Sequence, residues 1–358
     1  MISEKDRYFM TVALNMASRG IGRVSPNPAV GCVIVKNGLI LARAHTADSG
    51  RPHAETQALK QAGGEAQGSI LYVSFEPCTH HGETPPCVDS IIKAKVKRVV
   101  IACEDPDPRV SGKGIEALEN AGILVDVGIL EEQAKALNIG FLRRIEKNRP
   151  HITLKLACTL DGKVALANGK SQWITGELAR RHVHLMRSMS DAIMVGSGTV
   201  LHDDPKLDTR LPGIEHKSLR IVMDTDLSAP PSSKIFQDAK ENPVLILYSA
   251  GDPKSFEEKG VEAAQVDTNN LERVMEILAE RGITRLFVEG GRRLHSAFLK
   301  SRLCDELLIY RAPTLLGDDA LGLSEAMNIN ELAARYDFER KSIRTLGQDI
   351  LETYTPKG

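Results

Sequence analysis

The sequence has no basic excess, no long apolar run and few cysteines, and each shortage closes off a class of protein. Lys and Arg together number 46 against 47 for Asp and Glu, a net charge of -1. Proteins that grip a nucleic-acid backbone show a basic excess, so a tight, non-specific hold on DNA or RNA is not expected. The longest apolar stretch is the seven residues 29–35, interrupted only by Gly31, whereas a membrane span needs about 20. Six cysteines in 358 residues are far too few for a disulfide scaffold. The opening Met-Ile-Ser-Glu-Lys-Asp-Arg-Tyr lacks the basic-then-apolar layout of a secretory signal. There is no internal repeat and no low-complexity tract. A soluble, cytoplasmic chain without nucleic-acid or membrane partners is expected.

What is present is a globular composition, 42% hydrophobic and 26% charged. At roughly 150 residues per domain the length suggests two domains. Residues 4–19 place Tyr8, Val12, Ala13 and Met16 on one helical face, and Gly20 follows as a stop. Residues 30–35 read as a buried strand, Asn37-Gly38 as a hairpin turn and 39–44 as the partner strand. Helices over 54–62, 88–95, 114–121 and 131–145 then alternate with strands over 70–74, 98–102 and 123–127, which implies a layered α/β sheet. Lys147-Asn148-Arg149-Pro150 is polar and ends in proline, a linker signature. The expected domains are therefore 1–147 and 148–358. The second opens with a strand over 152–158 and a helix over 177–189, with further strands at 192–195, 220–223, 244–248, 285–288 and 306–310. Its pattern does not repeat the first.

The first half carries a metal-site pattern. His53-Ala54-Glu55 opens a helix; Cys78 follows His53 by 25 positions and Cys87 follows Cys78 by nine. One imidazole and two thiolates suit zinc and leave the fourth tetrahedral position for water. Zinc brings the pKa of such a water towards about 7. Glu55, in the first helical turn, is placed to carry a proton without binding metal. A closed structural site, with His80 or His81 as fourth ligand, is the alternative. Cys32, Cys103, Cys158 and Cys304 sit in apolar runs and read as buried thiols.

The His-x-Glu and Pro-Cys arrangement resembles the zinc-dependent cytidine-deaminase superfamily. That signature has two residues between its cysteines, and here there are eight. The longer form, residues 76–87, resembles one branch, the bifunctional riboflavin-biosynthesis deaminase/reductases. Ser25-Pro26-Asn27-Pro28-Ala29-Val30-Gly31, Asp105-Pro106-Asp107-Pro108 and Gly112-Lys113-Gly114 extend the likeness. The resemblance implies zinc on His53, Cys78 and Cys87, proton transfer by Glu55, and substrate contacts from Asn27, His45 and His80. Two departures stand out. Counted without gaps, His45 lies one residue earlier than the histidine of the family pattern, where this chain has Thr46. Glu83 stands where a basic residue is common.

In the second half, Gly196-Ser197-Gly198 after an apolar strand lacks the third glycine of the Rossmann fingerprint. Glu289-Gly290-Gly291 ends a second strand, and Arg187 and Arg210 suit a phosphorylated ligand. Lys155-Leu156-Ala157, Leu160-Asp161-Gly162-Lys163, the run 171–175, Asp203-Asp204-Pro205 with Leu207 and Arg210, and Glu289-Gly290-Gly291 resemble the reductase half of the same family. That half is a dihydrofolate-reductase-like α/β fold using NADPH. The resemblance thus implies a cytidine-deaminase-like three-layer α/β/α domain followed by this reductase. Ala157, Trp173, Thr199, Asp203, Thr225, Gly291, Arg292, Arg293, Leu294 and His295 would face the cofactor. Ser171, Arg187, Leu207, Arg210 and Glu289 would face the substrate, with Lys155 assisting the sugar. The implied substrate is a small phosphorylated pyrimidine, deaminated and then reduced in its ribosyl arm, and a homo-oligomer is expected. A nucleic-acid deaminase, a zinc-stapled binding protein and a chain with one active and one degenerate domain are the rivals; the missing basic excess counts against the first, the open fourth position and Glu55 against the second, and the shift from Thr46 to His45 is the best support for the third.

Overall fold

The structure, a computed structural model, describes residues 3–79, 85–107, 110–214 and 217–357. The chain divides into two compact units, Met1–Asn148 and Arg149–Gly358.

The first unit begins with α1 (Glu4–Ala17), started by a capping box. The Ser3 hydroxyl accepts from the Asp6 N–H at 3.1 Å, and the Asp6 carboxylate accepts from the Ser3 N–H at 3.0 Å, which satisfies two end donors. Phe9, Met10, Ala13, Leu14, Met16 and Ala17 form its buried face. Tyr8, expected inward, is 62% exposed and lies edge-on against Phe9 instead. Then follow β1 (Gly31–Lys36), β2 (Leu39–His45), α2 (Ala54–Ala62), β3 (Ile70–Val73), α3 (Cys87–Lys93), β4 (Arg98–Ile101), α4 (Lys113–Asn120), β5 (Leu124–Val127), α5 (Glu131–Leu137) and α6 (Ile139–Lys147). The sheet order is β2-β1-β3-β4-β5, with β1 antiparallel to both neighbours and the last three strands parallel. Helices pack in two groups, α1 with α5 and α6, and α2 with α3 and α4, a helix–sheet–helix layering. The helix expected over 131–145 is broken at Asn138, whose backbone (φ -100°, ψ 18°) leaves the helical region.

The second unit comprises β6 (His151–Cys158), β7 (Lys163–Ala165), α7 (Glu177–Ser188), β8 (Ala192–Gly196), α8 (Ser197–Asp203), β9 (Leu219–Met223), α9 (Lys234–Gln237), β10 (Val244–Tyr248), α10 (Lys254–Glu257), β11 (Glu262–Gln265), α11 (Leu271–Glu280), β12 (Arg285–Val288), α12 (Arg292–Lys300), β13 (Glu306–Arg311), β14 (Leu321–Gly322), β15 (Phe338–Leu346) and β16 (Asp349–Pro356). Nine strands form one sheet, ordered β11-β10-β9-β8-β12-β6-β13-β16-β15. Its first seven strands are parallel and the β16–β15 hairpin closes one edge antiparallel. The parallel strands read as apolar runs because the sheet is buried on both faces. Among the described residues no helix is long and apolar enough to cross a membrane.

Behind the first sheet, Asp6 accepts hydrogen bonds from Tyr72 at 2.7 Å and Arg98 at 2.8 Å, and Arg98 also reaches Asp126. Burial by itself raises the Asp6 pKa, but Arg98, Ser3 and Tyr72 outweigh it and hold the carboxyl well below the usual carboxylate range. A depressed folded pKa means that this contribution is complete above the unfolded value, about 4, and is lost as pH falls below it. Asp6→Asn should therefore cost the first unit about 2 kcal/mol at pH 7, and less at pH 3. Urea titrations at both pH values measure the gap, and a gap that does not shrink in acid refutes the assignment.

Candidate active sites

Both sites lie beyond the carboxyl ends of parallel strands, where backbone groups at strand-to-helix turns need partners. In the first unit, His53 is the N-cap of α2 and Cys87 the first residue of α3, while Cys78 sits in the loop after β3. Their ligand atoms lie within 4.8 Å of one another. His53 Nδ1 is 3.3 Å from Cys87 Sγ and 3.6 Å from Cys78 Sγ. Two ligands on one tetrahedral zinc sit roughly 3.5–3.8 Å apart, so the donor set fits that metal in both chemistry and span. A hydrogen bond from Cys87, reinforced by His53, holds the Cys78 thiol far below its free value, as a metal ligand requires.

Glu55, one residue into α2, is 3% exposed, and its Oε2 has no hydrogen-bond partner among the described residues. Burial pushes its pKa up, against an opposing pull from His53. A buried carboxyl oxygen without a partner is costly and marks a group kept available for a proton.

Asn27 lies in the loop before β1 and donates through Nδ2 to Gly50 O at 2.9 Å. His45, at the end of β2, is occupied locally: its Nδ1 is 2.8 Å from Thr46 O, and its own carbonyl accepts from Gln57 at 2.6 Å. Thr46 is the residue that turns into the Asn27 loop, with its hydroxyl accepting from Val30 N at 3.0 Å. His80 and Glu83 lie outside the described residues. Sequence reasoning missed Glu76. Its carboxylate accepts from the backbone N–H groups of Asp105, Gly112, Gly114 and Ile115 at 2.9–3.4 Å. A Cβ at Gly114 would come within 2.3 Å of Pro77 O, so only glycine permits this approach.

In the second unit, Lys155 and the fifteen residues expected around cofactor and substrate all line one cavity of about 1280 Å³. Single-ligand pockets run to about 1,000 Å³, so this one has room for a dinucleotide and a phosphorylated substrate together. Arg187 and Glu289 are joined bidentately, Nε to Oε1 at 2.5 Å and Nη2 to Oε2 at 3.1 Å, and Arg187 Nη1 also donates to Asp208 O at 2.8 Å. Arg187 is thus largely committed within the protein, and Glu289 is held ionised despite its burial. Burial lowers the Lys155 pKa, although Glu289 acts in the opposite sense. Ser171 donates to Asp203 at 3.0 Å, tying an expected substrate contact to an expected cofactor contact. Trp173 is 69% exposed at the rim, with the Arg180 guanidinium 4.8 Å from its ring centre. Arg210 is mostly exposed and pairs with Asp208. His295 is buried, and burial brings it down to about 4, so its ring is neutral.

Arg180 and His184 also line this cavity. The signal for them was in the sequence: residues 180, 184 and 187 fall at i, i+4 and i+7 on α7, one helical face.

A histidine and two cysteines able to hold a metal, with a buried glutamate beside them, and a large cavity on a parallel sheet in the same chain fit a zinc deaminase joined to a reductase. The zinc-binding region of cytidine and deoxycytidylate deaminases matches residues 3–103, and the RibD C-terminal domain matches 150–351. The riboflavin biosynthesis protein RibD of Aquifex aeolicus is 42% identical, over 98% of each chain, and that of Escherichia coli 40%, over 97% of this chain and 98% of its own. Among solved structures, Acinetobacter baumannii RibD is 38% identical with a TM-score of 0.93 over 99% of each chain. A Thermotoga maritima deaminase/reductase is 35% identical with a TM-score of 0.88 over 98% of each. The chain belongs to the RibD family of bifunctional riboflavin-biosynthesis enzymes, with zinc and NADPH as its cofactors.

Arg187→Met should destabilise the second unit by about 3–5 kcal/mol by leaving Glu289 buried and unpaired. Adding Glu289→Leu should recover most of that loss. Denaturant titrations of both variants test this, and a single variant within about 1 kcal/mol of wild type would contradict it.

Proposed function

We propose that the first unit hydrolytically deaminates 2,5-diamino-6-(5-phosphoribosylamino)pyrimidin-4(3H)-one to 5-amino-6-(5-phosphoribosylamino)uracil, and that the second reduces the ribosyl arm of that product to the ribityl form. The Thermotoga maritima relative is a diaminohydroxyphosphoribosylaminopyrimidine deaminase/5-amino-6-(5-phosphoribosylamino)uracil reductase. The observation that carries the reading is the three-ligand set of His53, Cys78 and Cys87 beside a buried Glu55 oxygen that has no hydrogen-bond partner among the described residues. Those three residues would hold zinc, which when bound supplies a Lewis acid that makes water nucleophilic near neutral pH. Glu55 accepts the proton at Oε2 and returns it to the departing amino nitrogen, so that water and amine become carbonyl and ammonia. Its raised pKa supports both halves of that transfer. Asn27 holds the pyrimidine by hydrogen bonds, with His45 and His80 as further substrate contacts.

In the second unit NADPH supplies hydride. Ala157, Trp173, Thr199, Asp203, Thr225 and the run 291–295 would hold it; Ser171, Arg187, Leu207, Arg210 and Glu289 would hold the phosphorylated substrate. Lys155 would give its proton to the ribose ring oxygen as the bond from that oxygen to C1 opens, and the cofactor, when bound, would supply the hydride that C1 needs. A buried ammonium with a lowered pKa releases its proton more readily. Arg187 steadies Glu289, which in turn keeps Lys155 charged in the resting site. We place the enzyme in the cytoplasm as a homo-oligomer. The free cysteines suit a reducing compartment. The edge strand β15, with Ile343 half exposed, suits pairing with a second copy.

The test follows ammonia release and NADPH oxidation separately. Glu55→Gln should slow ammonia release by at least about 10²-fold while retaining zinc and oxidising NADPH normally when given the aminouracil. Lys155→Met should do the reverse. Ammonia release at the wild-type rate in Glu55→Gln removes the proton-carrier role.

A further inference from the structure

The loop that carries Asn27 lacks a sheet neighbour at Ala29, and a distant side chain takes that place. Ala29 is 4% exposed. Its N–H donates to Asn138 Oδ1 at 2.8 Å, and its carbonyl accepts from Asn138 Nδ2 at 3.1 Å. The partners are 109 residues apart. An amide offers one acceptor and two donors, so it faces a peptide group as another strand would. Asn138 is itself 4% exposed. It stands where α5 and α6 part, and a side chain inside a continuous helix would not carry this backbone. Beside it, Thr46 N donates to Val30 O at 2.9 Å and Val30 N donates to the Thr46 hydroxyl at 3.0 Å, so consecutive peptide groups of the loop are fastened.

The fastening ends at Asn27. Its Nδ2 donates to Gly50 O, and Gly50, at φ +86°, leaves so little room that a Cβ there would lie 2.3 Å from that nitrogen. One N–H is used in this contact, while Oδ1 and the second N–H have no protein partner among the described residues. A ring with adjacent donor and acceptor matches that pair.

We propose that Asn138 is a positioning residue for deamination: by completing both hydrogen-bonding groups of Ala29 it fixes the loop that presents Asn27 to the pyrimidine. This rests on the reading of Asn27 as a substrate contact.

The experiment compares deamination kinetics, NADPH oxidation and zinc content in Asn138→Ala, Asn138→Asp, Asn27→Ala and the Asn27→Ala/Asn138→Ala double variant. Asn138→Ala should raise the deamination KM about tenfold, the scale of one or two lost hydrogen bonds, with kcat, zinc content and NADPH oxidation near wild type. Asn138→Asp keeps the volume but sets an oxygen against Ala29 O, so its KM should rise as far. It carries the test alone should the alanine variant not fold. In the Asn27→Ala background the second substitution should add little. An unchanged KM in both Asn138 variants overturns the proposal, as does a fall in kcat that tracks loss of zinc. If Asn27→Ala raises KM and the Asn138 variants do not, the inference fails alone; if Asn27→Ala leaves KM unchanged, the reading beneath it fails too.

Discussion

The Glu76 carboxylate accepts four backbone N–H groups at once, from Asp105, Gly112, Gly114 and Ile115. The deaminase half depends on that contact. Strands β3 and β4 end side by side, and each must pass its chain into a loop without leaving buried peptide groups unpaired. Glu76 meets this need for the loop after β4, and it stands two residues before Cys78. The segment carrying a metal ligand and the segment behind it are therefore locked by one side chain. Gly114 admits the close approach to Pro77 O that the lock requires.

The reductase half meets the same need with charge. Arg187 on α7 reaches Glu289 at the end of β12 and the carbonyl of Asp208 in the loop after α8. Arg220, fully buried on β9, fastens the same loop by donating to Lys206 O at 2.9 Å. Neither arginine is free to act as a mobile phosphate hook. This changes how the near-neutral composition is understood. Of the arginines at the cavity, Arg187 is structural in large part, whereas Arg210 and Arg293 are exposed. The cavity gathers its cations locally, Arg210, Arg292 and Arg293 among them, so a chain of net charge -1 still offers positive charge at this one place.

How much was legible in the sequence follows from the range of each contact. The gathering of His53, Cys78 and Cys87 beside Glu55 could be read because each stands at a local turn: an N-cap, a loop after a strand, a helix start and a first helical turn. The cavity residues were legible through short runs at strand ends, which a parallel sheet brings to one edge. Asn138 and Glu76 were not, because their partners lie 109 and 29–39 residues away, and neither leaves a periodic trace. The helical period over 131–145 even concealed Asn138, since α5 and α6 keep their apolar residues facing the same sheet across the break. The hairpin β15–β16 was missed for another reason: β15 is exposed along almost its whole length, so it carries no alternation for a sequence reader to find.

Within the deaminase half the Asn27 loop and the Cys78 segment are held by different groups, the amide of Asn138 and the carboxylate of Glu76. In the proposed deamination Glu55 changes its protonation, in a buried site where Coulomb forces are weakly screened. A neutral amide at Asn138 fastens the nearby loop without adding a net charge that would pull the Glu55 pKa in one direction. In the proposed reduction Lys155 gives a proton to the sugar; burial lowers its pKa, and Glu289 works the other way. There the ionised Glu289 supports the ammonium, and Arg187 keeps Glu289 ionised.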